Sequence, residues 1–129
     1  MAIQFVVELK NEPGGLAILA EALAARGIDL RAIGGGGIGD TGHIIMTTAD
    51  DDGTRAVLDA GGYTYIEGES ILTEVDDRPG GMARLSRELA DAGVNIYGHL
   101  FLGRWGDRAM FAFVVDDPER ARPILERKA

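Results

Sequence analysis

The chain repeats itself at an offset of 66 residues: Ile3–Gly62 lies over Glu69–Lys128 without a gap, and glycines and prolines coincide. KNEPGGLAIL (10–19) returns as DDRPGGMARL (76–85). The match also holds by residue type. Leu16, Leu19 and Leu23 fall on Met82, Leu85 and Leu89; Gly27 falls on Gly93; Ile28-Asp29-Leu30 falls on Val94-Asn95-Ile96; Asp50-Asp51 falls on Asp116-Asp117. Two copies are too few for a solenoid, and units much under about 70 residues bury little surface alone. The repeat predicts a duplicated small domain, 1–67 and 68–129, whose halves need each other.

Within each copy the hydrophobic period switches in the same order. Ile3, Phe5, Val7 and Leu9 alternate with Gln4 and Glu8, as in a half-buried strand. Leu16, Leu19, Ala20 and Leu23 sit at helical spacing, and Gly27 supplies the left-handed residue that ends many helices. Strands over 28–38 and 43–49 follow around a Gly-rich turn, then a short helix capped by Asp51 or Asp52 through Ala60, then a strand near Tyr63–Glu67. Copy two predicts strands over 69–76, 94–103 and 108–115 and helices over 81–92 and 118–127, the last kinked or shortened by Pro123. The order β-α-β-β-α-β is the ferredoxin-like arrangement. The fold class expected is α+β, with antiparallel sheets carrying both helices on one face. Copy two has no residues for a fourth strand of its own before position 129. Its first strand is therefore left with an open edge, which a neighbouring copy or a second chain is expected to cover.

The repeated turn invites three readings. Pro13 and Pro79 suit the first helical position, and Gly14, Gly15, Gly80 and Gly81 let a ligand approach the backbone without a Cβ in the way. Helix N-termini carry unpaired N–H groups and partial positive charge, while Asn11 or Asp77 offers a side-chain oxygen to an ammonium. Carboxylate on N–H groups with ammonium on a side-chain oxygen is the wiring an α-amino acid needs. The plainer reading is that Asn11 and Asp77 cap helices and the glycines only permit a tight turn. A phosphate loop is disfavoured, because Leu16 follows the glycines where Lys-Ser/Thr would be required.

The turn, N-E-P-G-G-L in one copy and D-R-P-G-G-M in the other, followed by a helix and then G-I-D-L or G-V-N-I, resembles the ACT domain. That family is a small regulatory amino-acid-binding module of ferredoxin-like fold, and the resemblance covers nearly the whole chain as two copies. The layout is similar to small stand-alone tandem ACT proteins. The resemblance implies a ligand site between paired units, against the turn and the start of the next strand. In copy one it implicates Asn11, Pro13, Gly14, Gly15 and Leu16 with Asp29 and Leu30; in copy two it implicates Asp77, Pro79, Gly80, Gly81 and Met82 with Asn95, Ile96 and Tyr97. Asp77 departs from the family's usual Asn by adding a negative charge, which Arg78 is placed to offset. The function implied is a non-catalytic sensor of a free amino acid, homodimeric, regulating a partner protein or enzyme, an enzyme of amino-acid metabolism being one candidate. The alternative is an interaction module without ligand, recruiting a partner through its sheet edge.

Composition narrows the field further. A net charge of −8 disfavours nucleic acid and anionic membrane surfaces as partners, no apolar run approaches the roughly 20 residues of a membrane span, and the absence of cysteine removes thiol catalysis and Cys-based metal sites. MAIQFVVELK lacks a basic n-region and carries Glu8, so a cytoplasmic protein is expected. No cofactor fingerprint or paired acid and base stands out. IGGGGIGDTG (33–42) reads as a flexible hairpin, or as a bare strand leaving room for Tyr97, His99, Phe101 or a ligand. Asp50–Asp52 and Asp116–Glu119 read as helix starts before metal clusters. His43 and His99 read as core or hairpin residues, and Trp105 as a hairpin tip lying over Arg104 or Arg108.

Overall fold

A computed structural model describes residues 2–126. The described chain divides into two compact units, Ile3–Glu67 and residues 68–126, with Ala2 grouped with the second. Unit one runs β1 (Ile3–Lys10), α1 (Gly15–Ala25), β2 (Leu30–Ile38), β3 (Thr41–Thr48), α2 (Asp51–Ala60) and β4 (Tyr65–Glu69), with sheet order β2-β3-β1-β4. Unit two runs β5 (Ile71–Asp76), α3 (Gly81–Asp91), β6 (Ile96–Trp105), β7 (Arg108–Val115) and α4 (Pro118–Leu125), with sheet order β5-β7-β6. The fold is α+β with two antiparallel sheets, and among the described residues the second has three strands with β5 at one edge.

Each sheet buries one face under its two helices because its strands alternate and its helices carry an apolar stripe. In unit one Phe5, Val7 and Met46 from the strands meet Leu19 and Leu23 of α1 and Val57 and Leu58 of α2. In unit two Ile71, Val75, Phe113 and Val115 meet Leu85 and Leu89 of α3 and Ala121 and Leu125 of α4. Each fully buried leucine among them contributes about 1.5–3 kcal/mol of apolar burial. Thr73 adds a polar tie within unit two, its buried hydroxyl donating to the Leu125 carbonyl at the end of α4.

The structure moves several boundaries. The cap of α2 is Asp50, not Asp51 or Asp52: its Oδ1 accepts from Gly53 N at 2.9 Å, and Asp117 does the same for α4 from Arg120 N at 3.1 Å. Asp52 instead pairs with Arg55 at 2.6 Å. The helix expected over 118–127 ends at Leu125 with Pro123 inside it; residue 127 lies outside the described residues. The glycines of 33–37 are not a flexible turn but the body of β2, paired residue by residue with β3, and only Gly39-Asp40 turns. A Cβ at Gly35 would lie 2.3 Å from the His43 carbonyl, so at that position the strand is bare because its neighbour's backbone is close.

The two copies do not stay in step. Lys10 pairs with Thr41 while Asp76 pairs with Arg108, so Thr41 and Arg108 are equivalent, 67 positions apart. The caps Asp50 and Asp117 are 67 apart as well, whereas β2 and β6 begin 66 apart at Leu30 and Ile96. The additional residue is Leu102, taken up where the β6–β7 register shifts between Phe101 and Gly103. A gap-free alignment therefore misassigns every pair beyond it by one.

Candidate functional site

The repeated turn has one geometry in both units. Chain leaving β1 folds so that Gly15 N donates to the Glu12 carbonyl at 3.2 Å, with Pro13 second and Gly14 third at φ 92, ψ −10. In unit two Gly81 N donates to the Arg78 carbonyl at 3.1 Å around Pro79 and Gly80, at φ 89, ψ −9. This is a type II β-turn, which takes proline at its second position and needs a positive φ at its third. Pro13 and Pro79 are therefore turn residues two positions before the first helical residue, not the N1 prolines that the sequence suggests. The second glycine has a separate cause. A Cβ at Gly15 would sit 2.9 Å from the Lys10 carbonyl, and one at Gly81 would sit 2.1 Å from that of Asp76. The glycine pair lets the helix start against the end of its own strand.

Neither helix is capped by a side chain. Gly15 N and Gly81 N are spent on the turn, and the N–H groups of the next two residues of α1 and α3 are left for a ligand or water, at the positive end of each dipole. Asn11 is not a cap. Its backbone N donates to the Asp40 carbonyl and its Nδ2 to the Gly39 carbonyl, both at 2.9 Å, which ties the turn to the β2–β3 hairpin. Among the described residues no donor reaches its Oδ1. Asn11 also lines a cleft of about 720 Å³ with Lys10, Glu12, Asp40 and Tyr63.

Asp77 likewise ties its backbone N to the Asp107 carbonyl at 2.8 Å, yet its side chain is engaged differently. Arg104 Nε donates to Asp77 Oδ2 at 2.8 Å, and the guanidinium lies 4.6 Å from the centroid of Phe101, which stands edge-on to Phe111 at 5.5 Å. Arg78 does not offset Asp77. It pairs with Asp76 at 3.3 Å, as do Arg84 at 3.6 Å and Arg108 more closely. Asp77, Arg78, Pro79, Met82, Arg104 and Phe111 line one cleft of about 340 Å³.

The other implicated residues lie elsewhere in each unit. Leu30 pairs with Thr48 while the turn follows Lys10, which pairs with Thr41, so Asp29 and Leu30 stand at the opposite end of the sheet, about 20 Å away at strand rise. Ile96 pairs with Val115 while Asp76 pairs with Arg108, which separates Asn95, Ile96 and Tyr97 from Asp77 in the same way. No single unit brings the two sets together. The strand starts do share a feature: each carries a bulge, with Arg31 and Tyr97 as the extra residues. Asn95 is fixed there by its N–H to Asp116 Oδ1 at 2.8 Å.

Arg104 is the residue that sequence reasoning missed. The signal was the two-residue Gly106-Asp107 hairpin, which sets Arg104 opposite Ala109 on the central strand. Trp105 ends β6 exposed, its ring against Gly103 rather than over an arginine. His43 and His99 are exposed strand residues, with the His99 ring tilted against Phe113 at 6.3 Å between centroids. Among the described residues no group of acidic or histidine side chains could hold a metal ion, and no helix is long and apolar enough to cross a membrane.

No family model matches this chain, and no curated protein does. Solved structures share its fold. A protein from Bacteroides thetaiotaomicron superposes over 97% of this chain and 86% of its own, with a TM-score of 0.72 and 21% identity. The regulatory subunit of aspartate kinase from Thermus thermophilus, in its ligand-free form, matches over 97% and 89% of the two chains at a TM-score of 0.63 and 21% identity. Its counterpart from Thermus flavus matches over 97% and 88% at 0.66 and 20% identity. At these identities the likeness establishes the fold alone: two ferredoxin-like units.

Proposed function

We propose that the chain is a non-catalytic sensor that binds a free amino acid at its β-strand–turn–helix junction and passes the signal to an enzyme of amino-acid metabolism. One observation carries the reading: the Asn11 turn leaves the Leu16 and Ala17 N–H groups of α1 without a side-chain cap, a few residues from a side-chain oxygen that no donor reaches among the described residues. That pairing suits the carboxylate and ammonium of one amino acid. The residues around it are Asn11, Pro13, Gly14, Gly15 and Leu16, with strand-start residues of a second copy, of the Asp29–Leu30 or Asn95–Tyr97 kind, completing the pocket. A homodimer that also covers the β5 edge belongs to the same reading, as does a division at residue 67. Similarity in fold to aspartate kinase regulatory subunits supports it.

A thermal-shift screen over the twenty amino acids at millimolar concentration tests the proposal. A binder raises the melting temperature by mass action, about 2.7 kcal/mol when its concentration is a hundredfold above Kd, and Asn11→Ala abolishes the shift. No shift with any of them favours a ligand-free interaction module. Sedimentation at micromolar concentration tests the dimer, and a monomer there sinks that part.

A further inference from the structure

We infer that the turn of unit two is filled by the chain's own Arg104, whose guanidinium takes the place of a ligand ammonium, so that each chain offers one open turn, that of Asn11. The inference rests on the amino-acid reading above. In unit two one of the two oxygens of the Asp77 carboxylate, Oδ2, already accepts from Arg104 Nε at 2.8 Å, which sets a cation against the charge that would receive an ammonium. The contact joins a cation to a carboxylate, and such hydrogen bonds are about twice as strong as neutral ones. Arg104 is held in place as well, its guanidinium packed on Phe101 and Phe101 edge-on against Phe111. A tethered cation competes at high effective concentration against a free one.

Unit one lacks every part of this arrangement. With the register counted from the hairpins, the position of Arg104 is held by Gly37, which pairs with Gly42 as Arg104 pairs with Ala109. A Cβ at Gly37 would lie 2.6 Å from the Asn11 carboxamide, so the neutral side chain lies over bare backbone. Phe101 is matched by Gly35, opposite Ile44 as Phe101 is opposite Phe111. The same turn thus stands plugged in one unit and open in the other.

Isothermal titration of the full chain with each of the twenty amino acids, one at a time, decides the matter. Expected is one molecule bound per chain, lost in Asn11→Ala and unchanged in Asp77→Ala. Arg104→Ala, an exposed substitution whose folding is checked by circular dichroism, raises the stoichiometry to two per chain, and adding Asp77→Ala returns it to one. Two molecules bound per wild-type chain, or a stoichiometry that stays at one in Arg104→Ala, overturns the inference. No binding by wild type and Arg104→Ala alike overturns the sensor reading beneath it.

Discussion

Arg104 and Asp77 form an ion pair at 2.8 Å across 27 residues of sequence, at the ladder position where unit one sets Gly37 beneath Asn11. Everything that makes the turn is common to the two copies: the proline, the left-handed glycine and the glycine against the strand carbonyl. What lies around the turn is not. Duplication kept the backbone device and changed the charges presented to it, which separates the folding role of these residues from any binding role.

The glycines divide by cause, and substitution to alanine separates them. Gly81→Ala places a Cβ 2.1 Å from the Asp76 carbonyl, so the helix must shift, at a cost on the order of 1–3 kcal/mol. Gly15→Ala meets Lys10 at 2.9 Å and costs less. Gly80→Ala must hold φ 89, about 1–2 kcal/mol for an L-residue. Gly36→Ala meets nothing within 4 Å and stays within about 0.5 kcal/mol. Urea unfolding midpoints give the order; Gly81→Ala unfolding like wild type would remove the packing account.

The helix starts predict a second contrast. Asp50 and Asp117 each accept from the backbone N of the third residue on, so Asp50→Ala and Asp117→Ala each cost about 1 kcal/mol. Asp51 makes no such bond, and Asp51→Ala loses its interaction with the dipole, about 0.3–1 kcal/mol, and a coulombic attraction to Arg55. Equal midpoint shifts for Asp50→Ala and Asp51→Ala in chemical denaturation would contradict the assignment of the cap.

These cases show what could be read from residues alone. Alternation in Ile3–Leu9 and helical spacing in Leu16–Leu23 report burial directly, so element order and sheet type were legible. Proline followed by two glycines fits a helix start or a type II turn equally well, and only the hydrogen bond from Gly15 N to the Glu12 carbonyl decides between them. The bulge at Leu102 was hidden because Asp50 meets an aspartate at either offset, Asp116 at 66 and Asp117 at 67, so the caps gave no sign that the offset had changed. Arg104 escaped notice because its partner is distant in sequence and is set by hairpin register, which a one-residue slip rotates to the other face.

Thr73 tests a buried polar tie that unit one does without. Its hydroxyl donates to the Leu125 carbonyl inside the core, while the equivalent Val7 is fully buried with no hydroxyl. Thr73→Val keeps the shape but leaves the carbonyl without its donor, an expected loss of about 1–3 kcal/mol. Thr73→Ser keeps the donor and loses less. A Thr73→Val protein as stable as wild type in urea would mean that the end of α4 finds another partner.

Tyr65 predicts a pH dependence confined to the alkaline side. Its hydroxyl donates to Asp59 Oδ1 at 2.8 Å, and that bond, with burial and the nearby carboxylates adding to it, raises the phenol above its ordinary value. A raised folded value means the folded state holds the proton more tightly than the unfolded chain, whose tyrosines titrate near pH ~10. The stabilisation is therefore fully present below about pH 10 and is lost as pH rises through the folded value. Asp59→Asn removes the charged acceptor, so tyrosinate absorbance of Tyr65 should then appear at lower pH than in wild type, with stability at neutral pH reduced. Tyr63→Phe and Tyr97→Phe backgrounds isolate the Tyr65 signal. An unchanged titration in Asp59→Asn would show that the hydrogen bond does not govern the phenol.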